Sequence, residues 1–104
     1  MGVCNVFMGF SMVNANCEMG DFNNFNTHSS IHHDCVIGDN NVLSPYAGLM
    51  GYVVMEDENF LGVGTHITPK CKVGNENTLS AGETLFDNME DRQFFQHGIV
   101  LDKP

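Results

Sequence analysis

The sequence predicts an all-β protein, a single-stranded parallel β-helix of hexapeptide repeats, and three observations carry that prediction. The first is a period of six. Every sixth residue from Phe7 to Leu85 is large and apolar: Phe7, Val13, Met19, Phe25, Ile31, Ile37, Leu43, Leu49, Met55, Leu61, Ile67, Val73, Leu79 and Leu85. Chance would deliver such a run roughly once in a million sequences, and period six fits neither an amphipathic helix nor a long strand. The second is a deeper period of eighteen, seen in Asn5, Asn23, Asn41, Asn59 and Asn77 and again in Cys17, Cys35, Val53 and Cys71. Three hexads per coil, stacked at about 4.8 Å, produce that spacing. The third is turn chemistry in register with the coil: Gly-Asp at 20–21 and 38–39, Glu-Asp at 56–57 and Gly-Asn at 74–75.

Each hexad position then has a direction. The first residue points inward, as does the small fifth residue (Asn, Cys, Ser, Ala or Thr). The second and sixth point outward, and the third and fourth make the corner. Stacked asparagines are expected to hydrogen-bond along the axis as a ladder. About five coils occupy residues 1–87, followed by a loop (Asp87 to Gln93) and a terminal strand (Ile99 to Leu101), all in one domain, 1–104. Met1 is already in phase with the repeat. An uncapped first coil leaves a strand edge open, so either the chain is part of something longer or a partner covers that end.

Composition narrows the partners. Four Lys and Arg stand against thirteen Asp and Glu, a formal net charge of −9. That balance argues against nucleic acid and anionic membrane surfaces, which call for basic patches. No apolar run is long enough to span a bilayer, and "MGVCNVFMGF" has neither the basic start and cleavage site of a signal peptide nor the hydroxyl residue of a myristoylation motif. A cytoplasmic location follows by default. The four cysteines include no CxxC pair and are expected as free thiols, with Cys17, Cys35 and Cys71 in the core.

The stretch "NTHSSIHHDCVIGD" (Asn26 to Asp39) concentrates the chemistry. His28 falls at one corner, His32 faces outward, and His33 with Asp34 makes the next corner. Successive corners lie about 16 Å apart, so His28 and His33 of one chain cannot share a metal ion; they would do so only across a subunit interface. "HSSIHHDCVIGD" is similar to the H-x4-H-G-C-T-I-G-D stretch of γ-class carbonic anhydrases, which bridge zinc between subunits. Their remaining ligand would fall before residue 1, and no metal is expected.

A longer match runs from Val13 to Pro69. It resembles the hexapeptide-repeat, left-handed β-helix acyltransferases of the NeuD/PglD type, the sialic acid and bacillosamine sugar O- and N-acetyltransferases. The family's N-T-x-S-x-I-x-H-[DE]-C-x-I-G-[DE] is met by Asn26 to Asp39. The resemblance supplies the left-handed sense, an exception to the usual crossover rule. It implies an enzyme that moves an acetyl group from acetyl-CoA to an amine or hydroxyl of a sugar or nucleotide-sugar, working as a homotrimer. It also implies His33 as general base, Asp34 as the acid that orients it and Gly51 as oxyanion donor. Val63, Gly64, Ala81 and Gly82 would line the pantetheine arm of acetyl-CoA, and Lys70 is placed to meet its phosphates.

Residue chemistry agrees with those assignments. Imidazole is suited to removing the acceptor's proton, and a backbone N–H without a side chain can approach a thioester oxygen. Three features depart from the family: no nucleotide-sugar-binding domain precedes the repeats, "LSAGETLFDN" replaces I-G-A-G-A-V-V, and "VLDKP" stands where G-N-P-A-K is usual. The rival reading is a non-catalytic trimeric β-solenoid descended from that family. A γ-carbonic-anhydrase-like zinc protein is the third.

Overall fold

The computed structural model describes all 104 residues and contains sixteen strands and no helix. The first five are β1 (Val6–Phe7), β2 (Met12–Val13), β3 (Glu18–Met19), β4 (Asn24–Phe25) and β5 (Ser30–Ile31). They are followed by β6 (Val36–Ile37), β7 (Val42–Leu43), β8 (Gly48–Leu49), β9 (Val54–Met55) and β10 (Phe60–Leu61). Then come β11 (His66–Ile67), β12 (Lys72–Val73), β13 (Thr78–Leu79), β14 (Thr84–Leu85), β15 (Gln93–Gln96) and β16 (Ile99–Asp102).

The strands stack into three sheets, parallel except where β16 pairs with β15, that form the faces of a left-handed triangular prism of about five coils. Sheet A has the order β1-β4-β7-β10-β13-β15-β16, sheet B has β14-β11-β8-β5-β2, and sheet C has β12-β9-β6-β3. Register is eighteen residues throughout the coils: Phe25 pairs with Leu43, Ile31 with Leu49 and Ile37 with Met55. From Met19 onward the six-residue period therefore reads directly as one buried residue per face, with Leu43, Leu49 and Leu61 wholly enclosed, while Phe7 in the open first coil is 39% exposed.

Three edges join the faces. The edge through His28 lies between sheets A and B, that through His33 between B and C, and that through Asp39 between C and A. The fourth residue of nearly every hexad takes a left-handed backbone, with φ of 59° at His28 and Asp34, 64° at Tyr46 and 62° at Tyr52. This reversal turns the N–H back toward the preceding coil. Tyr46 N–H donates to the Thr27 carbonyl, Tyr52 to His33 and Glu58 to Asp39. Strand N–H groups donate forward instead, so both directions of the stack are tied.

The Gly-Asp pairs do a different job from the one the sequence suggests. The left-handed residue is the next one, Phe22, Asn40, Glu58 or Glu76. The aspartate side chain accepts the corner N–H of the preceding coil, as Asp39 Oδ1 does from Asp21 and Asp57 Oδ1 from Asp39, both at 2.8 Å. A Cβ on Gly20 or Gly38 would collide with that carboxylate, so close approach, and not turn conformation, selects glycine.

Inside the Asp39 edge runs the asparagine ladder. Asn41 donates through Nδ2 to Asn23 Oδ1 and to the Glu56 carbonyl, and its own Oδ1 accepts from Asn59. The second inward column holds the cysteines. Cys17 Sγ lies 3.0 Å from the His32 carbonyl and Cys35 Sγ 3.0 Å from that of Met50, and all four cysteines are free. Burial pushes the Cys35 thiol up to about 11, which keeps it protonated and inert at neutral pH.

The segment after Leu85 is more ordered than its sequence suggests. Met89 is buried and bridges Val73, sixteen residues back where the coils keep eighteen, so this turn of the solenoid is two residues short. Asp91 extends the aspartate column by accepting from Asn75. Gln93, expected at the end of a loop, opens β15, which stacks Phe95 on Leu79 and buries it. A tight hairpin with positive φ at His97 and Gly98 returns the chain as antiparallel β16, the geometry that matches strand twist. Glu83 accepts the Gly98 N–H at 3.0 Å and pins this hairpin to the last coil.

Candidate active site

His33 and Asp34 form the corner after β5, where the hexad turns from sheet B to sheet C. The left-handed conformation of Asp34 folds its carboxylate back beside its neighbour. His33 Nδ1 and Asp34 Oδ2 lie 3.0 Å apart, which leaves Nε2 as the unengaged ring nitrogen. The imidazole is half exposed and the carboxylate a third.

One coil on, Gly51 sits beneath the ring. A Cβ built there would stand 2.6 Å from His33 Cε1 and 2.7 Å from Nε2. The imidazole therefore rests on bare backbone, and only glycine leaves room for it. The Gly51 N–H donates to no acceptor in the protein, while its carbonyl accepts from Lys70 N–H. Tyr52 closes the other side, its ring edge-on to His33 at 5.3 Å between centroids and 88° between planes. The sequence reading passed over Tyr52. The signal for it was present: it stands eighteen residues after Asp34, at the same corner position.

His33, Asp34, Gly51 and Lys70 thus share one edge. Val63, Gly64, Ala81 and Gly82 share another, the His28 edge, with sheet B between the two. One chain does not bring the two groups together. His28 is likewise on the far side of sheet B from His33, as the corner spacing required. No group of three or more His, Cys, Asp or Glu side chains gathers in a way that could hold a metal ion. His32 follows β5, half-buried, and takes no part in the His33–Asp34 pair. His66 pairs in register with Gly48 on the outer face of sheet B, away from either group.

No protein-family model matches the chain, and no curated protein sequence matches it. Solved structures do. The chain superimposes on WeeI from Acinetobacter baumannii with a TM-score of 0.91 and 23% identity, over 96% of its own length and 50% of that chain. The acetyltransferase domain of PglB from Neisseria gonorrhoeae, in complex with acetyl coenzyme A, gives 0.84 and 21%, over 97% and 52%. A single-histidine variant of perosamine N-acetyltransferase from Caulobacter crescentus, in complex with CoA and GDP-perosamine, gives 0.59 and 18%, over 96% and 56%. At these identities the likeness establishes the fold, the hexapeptide β-solenoid. The chain spans about half the length of each of these structures.

Proposed function

We propose that this chain is the catalytic solenoid of an acetyl-CoA-dependent sugar acetyltransferase, acting on an amino or hydroxyl group of a sugar or nucleotide-sugar in the cytoplasm. The observation that carries this reading is the His33 corner: Nδ1 held by Asp34 and the ring lying on Gly51, whose N–H has no acceptor. Fold likeness to the PglB acetyltransferase domain, solved with acetyl coenzyme A, and to a perosamine N-acetyltransferase, solved with CoA and GDP-perosamine, supports it.

In this mechanism His33 Nε2 takes the proton of the acceptor N–H or O–H as its lone pair attacks the thioester carbonyl. The oxyanion of the tetrahedral intermediate accepts from Gly51 N–H. Collapse breaks the C–S bond, the imidazolium returns its proton to the leaving thiolate, and free CoA departs. Asp34 holds the ring in the tautomer with its proton on Nδ1 and stabilises the imidazolium between the two proton transfers.

The assembly that completes such a site is a trimer. Outward apolar residues sit on the two faces flanking the Asp39 edge: Val36 and Val54 on sheet C, Val42 and Phe60 on sheet A, with Val36 and Phe60 more than 40% exposed. Sheet B presents Met12 in its first coil and then Ser30, Gly48, His66 and Thr84. A threefold axis near the Asp39 edge turns sheet C of one chain toward sheet A of the next across a wedge-shaped groove, a heterologous arrangement that closes. It sets the His33 edge of one chain beside the Gly64 and Gly82 edge of its neighbour, which joins the two groups that one chain keeps apart. Light scattering should return a particle of about three times 11.5 kDa. A monomer would contradict the trimer and the shared site together.

Calorimetry with acetyl-CoA tests the reading directly. Wild-type protein should bind it, and Gly51→Val should bind it more weakly by an order of magnitude or more, because the added side chain displaces the His33 ring and crowds the thioester. Absence of wild-type binding at millimolar acetyl-CoA would overturn the reading and leave the non-catalytic solenoid.

A further inference from the structure

The His28 edge carries, below the glycines assigned to the pantetheine arm, an aromatic stack that the acetyl-transfer reading does not use. Phe10, His28 and Tyr46 occupy the same corner position in three successive coils, and their rings form a parallel stack. Centroids are 4.9 Å apart from Phe10 to His28 and 4.8 Å from His28 to Tyr46, with planes within 4° and 5°. At the next two rungs the position is Gly64 and then Gly82. The stack therefore stops at the upper face of Tyr46, a residue 58% exposed. A Cβ built on Gly64 or Gly82 would meet nothing within 4 Å. Gly64 N–H donates to the Pro45 carbonyl and Gly82 N–H to that of Val63, so the backbone beside the vacant rungs is held as firmly as elsewhere.

Glycine is not there for the backbone alone. Gly64 has φ of 70°, but Phe10, His28 and Tyr46 adopt 60°, 59° and 64° at the equivalent position. An aromatic residue would fit the conformation at 64. Its absence opens a flat, one-sided slot whose floor is an aromatic face at the coil repeat. A planar heteroaromatic ring is the group that continues such a stack, with sequence-tolerant stacking of the kind bases make on aromatic side chains.

We infer that Tyr46 and Gly64 form a stacking site for the nucleobase of a nucleotide-bearing ligand. This rests on the acetyltransferase reading, which involves two possible sources of that ring: the adenine of acetyl-CoA and the base of a nucleotide-linked sugar. In the threefold packing above, the slot of one chain lies beside the His33 edge of its neighbour.

The test is calorimetric titration of adenosine 3′,5′-bisphosphate, of uridine and guanosine diphosphates, and of CoA itself into wild type and three variants. Tyr46→Ala removes the floor, Gly64→Tyr adds the missing ring and fills the slot, and Phe10→Ala removes the far end of the stack while leaving the slot as it is. Thermal melting confirms that each is folded. Tyr46→Ala and Gly64→Tyr should each weaken one class of nucleotide about tenfold or more, whereas Phe10→Ala should bind as wild type does. Loss confined to adenosine bisphosphate and CoA assigns the slot to the acyl donor, and loss confined to the diphosphates assigns it to the acceptor. If wild type binds CoA and neither Tyr46→Ala nor Gly64→Tyr differs from it for any nucleotide, the stacking site is wrong while the acetyltransferase reading stands. If wild type binds none of these ligands, both are wrong.

Discussion

His33→Ala should lower the rate of acetyl transfer by about 10²–10⁴-fold, the usual worth of a positioned general base. The fold should survive, because the side chain is half exposed at a corner and its one hydrogen-bonded partner is the carboxylate beside it. Asp34→Asn should fall between His33→Ala and wild type. An amide still reaches Nδ1, but it offers no negative charge to the imidazolium that forms during transfer. His32→Ala should change the rate far less. Its side chain lies on the sheet face, and what it contributes to the corner is the backbone carbonyl that Cys17 approaches, which alanine retains. Rates for the three variants with one acceptor, alongside melting curves, give the ordering His33, then Asp34, then His32. Equal losses at His32 and His33 would mean that the corner is not the reacting centre.

Asn41→Ala should be the most damaging change that touches no part of that corner. The side chain is fully buried, and its amide joins Asn23, Glu56 and Asn59. Removing it strands the buried Asn59 backbone N–H and leaves the part-buried Glu56 carbonyl without its donor. Each such group costs about 1–3 kcal/mol, so a loss of about 3 kcal/mol follows. For a domain of this size that is a fall in Tm of about 12–24 °C, measured at one protein concentration if the protein is oligomeric. Asn5→Ala, at the half-buried first rung, gives up only its contacts to the Gly20 carbonyl and to Asn23, and should cost far less. Equal losses at Asn5 and Asn41 would show that the ladder is not what the interior depends on.

The architecture was legible because a solenoid is quasi-one-dimensional. Each residue's neighbours lie eighteen positions away, so the contact map can be counted along the chain, and the pairing of Ile31 with Leu49 follows from arithmetic. The same counting places His33 over Gly51 and Tyr46 over His28 without any knowledge of side-chain packing. It also separates His28 from His33, and that argument against a shared metal ion needed only the length of one strand.

Counting failed where the period breaks or where space, not spacing, decides. Met89 and Phe95 are core residues that the six-residue period did not mark, because a two-residue deletion in the last coil shifts the phase after Leu85. Gly20 and Gly38 look like turn glycines in the sequence, yet they are required by a carboxylate arriving from the next coil, a contact with no signature along the chain. The amino-acid order alone therefore determined the coil, its register, its inward residues and the membership of each edge, since these depend only on period. The tertiary structure decided which atoms face one another across a rung. The imidazole resting on Gly51 and the open upper face of Tyr46 depend on ring orientation and on the volume left by a missing Cβ, which periodicity does not encode.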